Sequence, residues 1–194
     1  MAMAIRWPTR ITESVLLELS RMNAGTFELT SDGTILMSPP TGSAASLGES
    51  ALHKQVCAWS ATAAPDALVL PPTGGITLPD GSIWAPDTTW IKRATFDRMS
   101  REDRERAFWR LVPDAVFEVF SPSDDPESEA ARYKLAAYRA NEIPLIVLID
   151  PRSGVTRCFR RGADATETRE RVIDLGPEMP GFVLDVGTIV SRIV

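Results

Sequence analysis

Apolar residues recur at helical spacing over 12–22, where Val15, Leu16 and Leu19 form one stripe, Thr12 stands at a cap position and Glu13 in the first turn. The spacing predicts a helix that packs on a sheet. From Phe27 to Met37 the pattern shortens to two strands around Ser31-Asp32-Gly33, a turn in which Gly33 supplies a positive φ, so a hairpin follows the helix. Pro39, Pro40 and Gly42 interrupt the pattern, and a second helix is predicted through Leu47, Leu52, Val56 and Trp59. Between Leu68 and Ile91 the text turns to strands: Leu68-Val69-Leu70, Ile76 with Leu78, Ile83 after an Asp80-Gly81 turn, and Asp87-Thr88-Thr89-Trp90-Ile91. Several antiparallel strands are expected there.

The most informative unit comes next. A strand from Val116 to Phe120, the loop SPSDDP, a helix over about 126–140 and a strand from Leu145 to Ile149 spell a βαβ crossover. Asp125 is placed to cap the helix and Pro126 to open it. The run LIVLI is apolar throughout, as a strand covered on both faces is. Pro151 to Gly154 then reads as a turn and Val155 to Phe159 as a strand; a polar loop and short strands near Val172 and Val183 follow. No internal repeat or low-complexity linker divides the chain, so residues 1–194 are expected to form one α/β (α+β) domain: a central mixed β-sheet flanked by helices, with an N-terminal helix and hairpin.

Composition narrows the classes of function. No apolar run approaches the roughly 18 residues of a membrane span, and MAMAIRWPTR lacks the apolar core and cleavage site of a secretory signal, so a cytoplasmic protein without membrane contact is expected. Cys57 and Cys158 have no CxxC spacing and read as buried thiols. His53 is the single histidine, which excludes histidine-rich zinc sites; it reads as a helix-surface or half-buried side chain. A net charge of −5 argues against a protein that coats nucleic acid by charge alone. It does not exclude a nuclease, because metal ions in an acidic site supply positive charge. Arg98, Arg101, Arg104, Arg106 and Arg110 interleave with Glu102, Asp103 and Glu105, the pattern of a solvated, charge-paired helix.

Three charges run against their surroundings. Glu118 stands inside VFEVF, where period-two alternation puts it with Phe120 on one side and Phe117 with Val119 on the other. A carboxylate on a strand covered on both faces needs a metal or a paired cation; an edge strand or an arginine partner accounts for it equally. Asp87 follows Pro86 at the mouth of a strand, where it either caps a turn or binds a ligand. Lys134 lies in the crossover helix, free to snorkel to solvent or to turn inward. Glu118 is about 7 Å before the end of its strand at ~3.3 Å per residue. Lys134 is roughly 12 Å into the returning helix at ~1.5 Å per residue, and helical side chains lean toward the N-terminus, so the two ends can meet. Hard carboxylate oxygens beside a cation suit Mg²⁺ or Mn²⁺ and the positioning of an attacking water.

The ordered strings FELTSDGTILMSPPTG, LPDGSIWAPDTTWI, VPDAVFEVFSPSDD, ARYKLAAY, LIVLIDP and MPGFVLD resemble a restriction-endonuclease family of the PD-(D/E)XK nuclease superfamily over nearly the whole chain. The resemblance implies a restriction-endonuclease-like core and a Mg²⁺- or Mn²⁺-dependent endonuclease acting on DNA, with homodimers expected. Pro86-Asp87 resembles the family's PD, which makes Asp87 a metal ligand; Glu118 resembles the acid of the second half-motif, and Val119 adds its backbone carbonyl. The position two after Glu118 is Phe120, not lysine, and the lysine is similar to one relocated to the helix, so Lys134 takes its role of orienting or activating water. Glu28 resembles an extra N-terminal acid that closes such sites. Trp84 and Ala85 replace a more polar pair, and Asn141-Glu142-Ile143-Pro144 replaces a glycine-containing turn. A catalytically silent module of the same fold, acting through protein or nucleic-acid binding, remains the alternative at this point.

Overall fold

The computed structural model describes residues 3–6, 11–22, 25–122 and 124–193. Of the first ten residues, on which the reading of the N-terminus rests, 1, 2 and 7–10 lie outside that set, as does position 123 of the crossover loop. The chain opens with β1 (Met3–Arg6) and α1 (Glu13–Met22), continues through the hairpin β2 (Thr26–Leu29) and β3 (Thr34–Ser38), and reaches the long helix α2 (Ser43–Ala63). Thr12 caps α1 as expected, its hydroxyl accepting from the Val15 N–H at 3.5 Å. The buried stripe of α1 differs from the prediction: Leu16 is fully buried, but Val15, about 100° round the helix, is 42% exposed. Gly33 adopts φ 87° at the hairpin turn, the region that glycine enters without strain. In α2 the buried face runs through Ala45, Gly48, Leu52 and Val56. Leu47, half a turn of rotation from Ala45, is exposed instead of joining that face.

The predicted strands follow as β4 (Leu68–Leu70), β5 (Ile76–Thr77), β6 (Ile83–Trp84) and β7 (Thr88–Ile91). The charged segment forms two short helices, α3 (Arg93–Asp97) and α4 (Arg101–Glu105), before β8 (Trp109–Arg110). Arg93 and Arg101 pair with nearby acids on the surface, Asp97 at 2.9 Å and Glu105 at 2.8 Å, as a solvated charge-paired face predicts, whereas Arg98 donates to Thr95, Arg104 to the Phe96 and Asp97 carbonyls, and Arg106 reaches Glu13 of α1. The crossover then runs β9 (Ala115–Val119), α5 (Glu129–Ala140) and β10 (Leu145–Asp150), with β9 and β10 parallel. Its helix begins later than expected. Ser128 is the cap, its hydroxyl accepting from the Ala131 N–H at 3.3 Å, while Asp125 closes a turn of its own by accepting from the Glu127 N–H at 2.9 Å. β11 (Val155–Arg160), β12 (Thr166–Thr168), the pair β13 (Val172–Asp174) and β14 (Val183–Asp185), and α6 (Val186–Val190) complete the order.

The strands segregate into two six-stranded sheets, with β13 and β14 apart. The N-terminal sheet has the order β1-β3-β2-β6-β5-β8 and the central mixed sheet the order β12-β11-β10-β9-β7-β4. The alternation predicted for β9 holds. Phe117 and Val119 pack with Val147 and Ile149 against Leu52 and Val56 of α2 and Ile189 of α6. Val116, with Ile146 and Leu148, faces Tyr138 of α5 and Leu36, Ile76 and Trp84 of the N-terminal sheet. Leu16 of α1 covers the other face of that sheet through Phe27, Leu29 and Ile35. The chain passes from the N-terminal sheet into the central one through Ala85-Pro86-Asp87, between β6 and β7. Among the described residues no helix is long and apolar enough to cross a membrane.

Candidate active site

At that crossing point the two sheets and α5 meet over a cavity of about 260 Å³ lined by Glu28, Glu49, Asp87, Glu118, Lys134 and Tyr138, among others. The side chains arrive from elements far apart in the chain. Glu28 comes from β2, Glu49 from α2, Glu118 from β9, and Lys134 and Tyr138 from successive turns of α5. Asp87 precedes β7, which pairs antiparallel with β9 from Thr88 opposite Phe117. Beyond that pair the β7 backbone has run out, and the Asp87 carboxylate takes the place of a strand carbonyl: Oδ2 accepts from the Val119 N–H at 2.7 Å. The carboxylate thus bonds across to the neighbouring strand instead of within a turn, with Oδ2 taken up there.

Lys134 turns inward. Its Nζ lies 2.9 Å from Glu118 Oε1, 3.0 Å from Glu118 Oε2 and 3.0 Å from Glu28 Oε1. It also approaches the Ala85 carbonyl at 3.4 Å. Since α5 begins at Glu129, Lys134 is about 8 Å along the helix, less than the spacing first suggested, and its long side chain covers the difference. Glu28 is fixed from a second side, accepting from the Ala85 N–H at 2.9 Å, so Lys134 and Glu28 together tie β2, the Ala85-Pro86-Asp87 passage and the crossover into one unit. The fully buried Tyr138 donates its hydroxyl to Glu118 Oε1 at 2.8 Å. Glu118 thus rests on an internal lysine and a tyrosine, and neither the edge strand nor the arginine partner is what accommodates it.

The electrostatics follow from four carboxylates sharing one ammonium. Burial, with the repulsion of Glu49 next, pushes the Asp87 carboxyl up to about 7 despite Lys134. Burial likewise pushes Glu118 up to about 8, Lys134 opposing it and Asp87 and Glu28 adding to it. For Lys134 burial works against the charged form, but Glu118, Glu28 and Asp87 outweigh it and hold the ammonium above its ordinary value. Burial and the nearby Glu118 raise Glu49 as well, against the bond it makes to Thr41. Among the described residues no three His, Cys, Asp or Glu side chains form a ready-made metal cluster. The donor set nevertheless fits a hard divalent cation: every ligand atom is oxygen, and two carboxyls carry protons near neutrality that a cation would replace.

A family profile described as "Uma2: Putative restriction endonuclease" matches residues 15–187. The chain belongs to this family. The match spans every element that brings a side chain to the cavity, from β2 to β11. The fold is also that of a crystal structure of a putative nuclease from Anabaena variabilis ATCC 29413, with a TM-score of 0.72 at 15% identity over 92% of this chain and 98% of that one. No curated protein matches the sequence.

Within this Uma2 chain the residues singled out from the sequence, Glu28, Asp87, Glu118 with Val119, and Lys134, all lie at the one cavity. Two neighbours were not foreseen. Glu49 sits on a helix whose pattern is dominated by its apolar face, and Tyr138 reads as an aromatic of the α5 core; only the fold brings the carboxylate and the hydroxyl to the site. The residues that depart from the family pattern have structural roles. Trp84 is a core side chain whose indole N–H donates to Ser82 Oγ at 2.8 Å, and Asn141 accepts from the Asp80 N–H at 3.2 Å. His53, half-buried on α2, contacts Thr88 Oγ1 at 3.3 Å and Cys57 Sγ at 3.4 Å. Cys158 is buried as expected but Cys57 only partly, because it borders this polar contact, and burial pushes both thiols up, away from the reactive thiolate.

Proposed function

We propose that the protein is a divalent-metal-dependent endonuclease that hydrolyses phosphodiester bonds in DNA. The observation that carries the reading is the convergence of Lys134, Glu118 and Glu28 within 3.0 Å, beside an Asp87 held by the neighbouring Val119 N–H. Asp87 and Glu118 would hold Mg²⁺ or Mn²⁺ with the Val119 carbonyl. A bound cation supplies charge neutralisation at the phosphate and lowers the pKa of water. Lys134, kept protonated by its carboxylates, orients the attacking water and donates to the charge that develops on phosphate oxygens; an ammonium held above its ordinary value is a poor base. Glu28 and Tyr138 hold Lys134 and Glu118 in register. Nicking of supercoiled plasmid with Mn²⁺ or Mg²⁺, absent in EDTA, tests the reading. Absence of cleavage across metals and substrates favours the silent binding module instead, for which the net charge of −5 is the supporting observation.

The raised carboxyls give a pH dependence with a defined sign. Metal binding must displace their protons, so Mn²⁺ affinity rises from pH 6 to pH 8 by on the order of a hundredfold, with proton release in calorimetry in buffers of different ionisation enthalpy. In the metal-free protein both groups hold protons more tightly folded than unfolded. The contribution of these two groups to stability is therefore fully present below their ordinary values of 3.8 and 4.5 and is lost as pH rises through about 7 and 8. Urea midpoints that rise over pH 5 to 8 without metal contradict this.

Tyr138→Phe removes one hydroxyl from a filled core. The expected result is a loss of about 1–2 kcal/mol in urea unfolding and a fall of roughly tenfold in Mn²⁺ affinity. A variant with wild-type affinity excludes Tyr138 from positioning Glu118.

A further inference from the structure

The inner cavity is acidic and the chain carries net charge −5, so a polyanionic strand needs a local positive contact near the site. Arg132 and Arg157 are the arginines that line the cavity, and both turn to one carboxylate. Arg157 Nη1 lies 3.1 Å from Glu127 Oε1, and Arg132 Nε lies 3.8 Å from Glu127 Oε2. The arginines belong to different elements, β11 and α5, and Glu127 to the turn that precedes α5. Their placement relative to the acids follows from sheet register. Glu118 is opposite Leu148, and Leu148 is opposite Arg157, so Glu118 and Arg157 lie in one row on one face of the central sheet, two strand spacings or roughly 10 Å apart.

We propose that Arg132 and Arg157 form a clamp for the DNA phosphodiester backbone at the rim of the cavity, and that Glu127 occupies the clamp in place of phosphate in the free protein. The inference rests on the nuclease reading above and names how that site takes its substrate. Two guanidiniums converging on the paired oxygens of a carboxylate present the same donors to the paired non-bridging oxygens of a phosphodiester. The Glu127 side chain is 62% exposed, so its ion pairs are weak and readily exchanged. The row Glu118–Leu148–Arg157 places the clamped phosphate beside the one under attack, not on it.

The test is fluorescence anisotropy of the full chain with a labelled 12-mer DNA, single-stranded and duplex, in EDTA so that no cleavage intervenes. Arg132→Ala and Arg157→Ala are each expected to weaken binding about tenfold and to lower the slope of log K against log salt by about 1. Glu127→Gln is expected to tighten binding severalfold, a gain that misfolding does not produce. Glu102→Gln, the same charge change on the exposed α4, is expected to leave affinity unchanged. Unchanged affinity and slope in both arginine variants overturn the clamp, as do equal gains for Glu127→Gln and Glu102→Gln, or no DNA binding by the wild type. Plasmid nicking by the wild type with Mn²⁺ is scored separately and decides the nuclease reading on its own.

Discussion

Lys134→Ala is expected to reduce Mn²⁺-dependent plasmid cleavage by about 10³-fold while leaving the circular dichroism spectrum of the folded protein in place. The lysine reaches into the group formed by Glu28, Glu49, Asp87 and Glu118, and it donates within 3.0 Å to both Glu28 and Glu118. Its removal takes away the donor proposed to act on the reacting phosphate and leaves two carboxylates without their shared partner. Breaking a buried ion pair costs about 3–5 kcal/mol when the remaining charge is trapped. Here Glu118 is already pushed up to about 8 and can take a proton, so the loss falls at the low end near pH 6 and grows as pH rises. Lys134→Arg keeps the charge but not the compact ammonium and is expected to recover stability more than activity. Cleavage by Lys134→Ala at the wild-type rate contradicts the assignment. So does loss of cleavage accompanied by unfolding in the alanine variant, if Lys134→Arg is fully active.

The second large effect concerns the metal itself. With Mn²⁺ at a hundred times the dissociation constant of the proposed site, the wild type is expected to gain about 2.7 kcal/mol of stability, read as a rise in melting temperature. Asp87→Ala and Asp87→Asn are both expected to lose that rise. The two variants separate ligation from folding, because the asparagine still offers an oxygen to the Val119 N–H that Asp87 Oδ2 now satisfies at 2.7 Å. Asp87→Asn should therefore melt close to the metal-free wild type, or above it at pH 8, where it no longer carries a charge crowded by Glu49 and Glu118. Asp87→Ala orphans the N–H and should melt lower. A full Mn²⁺-induced rise in Asp87→Asn removes Asp87 from the ligand set.

How far the molecule was legible in advance depends on the range of the forces involved. The crossover from β9 to β10 was readable because LIVLI and VFEVF need cover on both faces, which a helix on each side provides. The hairpins were readable because Gly33 and Gly81 mark turns that require positive φ, and both adopt it. Glu118 stood out because a charge on an inner strand demands a partner, and Lys134 is that partner. The start of α5 was misread because Asp125-Pro126 carries the same local signals as a cap, and only the competing turn at Glu127 gives the role to Ser128. The division of the strands between two sheets was not legible, since β6 and β7 differ little in composition and are assigned by pairings with distant segments. Glu49 and Tyr138 escaped for a related reason: a helix pattern shows which face is buried, not which carboxylate or hydroxyl the fold will place across from it.

The most direct test is a crystal of the wild-type protein soaked in Mn²⁺ near pH 8, with anomalous scattering recorded. An anomalous peak within ligand distance, about 2.0–2.2 Å, of carboxylate oxygens from both Asp87 and Glu118 is the predicted result. A crystal that binds Mn²⁺ elsewhere, or that keeps Lys134 on Glu118 at saturating Mn²⁺ with no peak in the cavity, contradicts it.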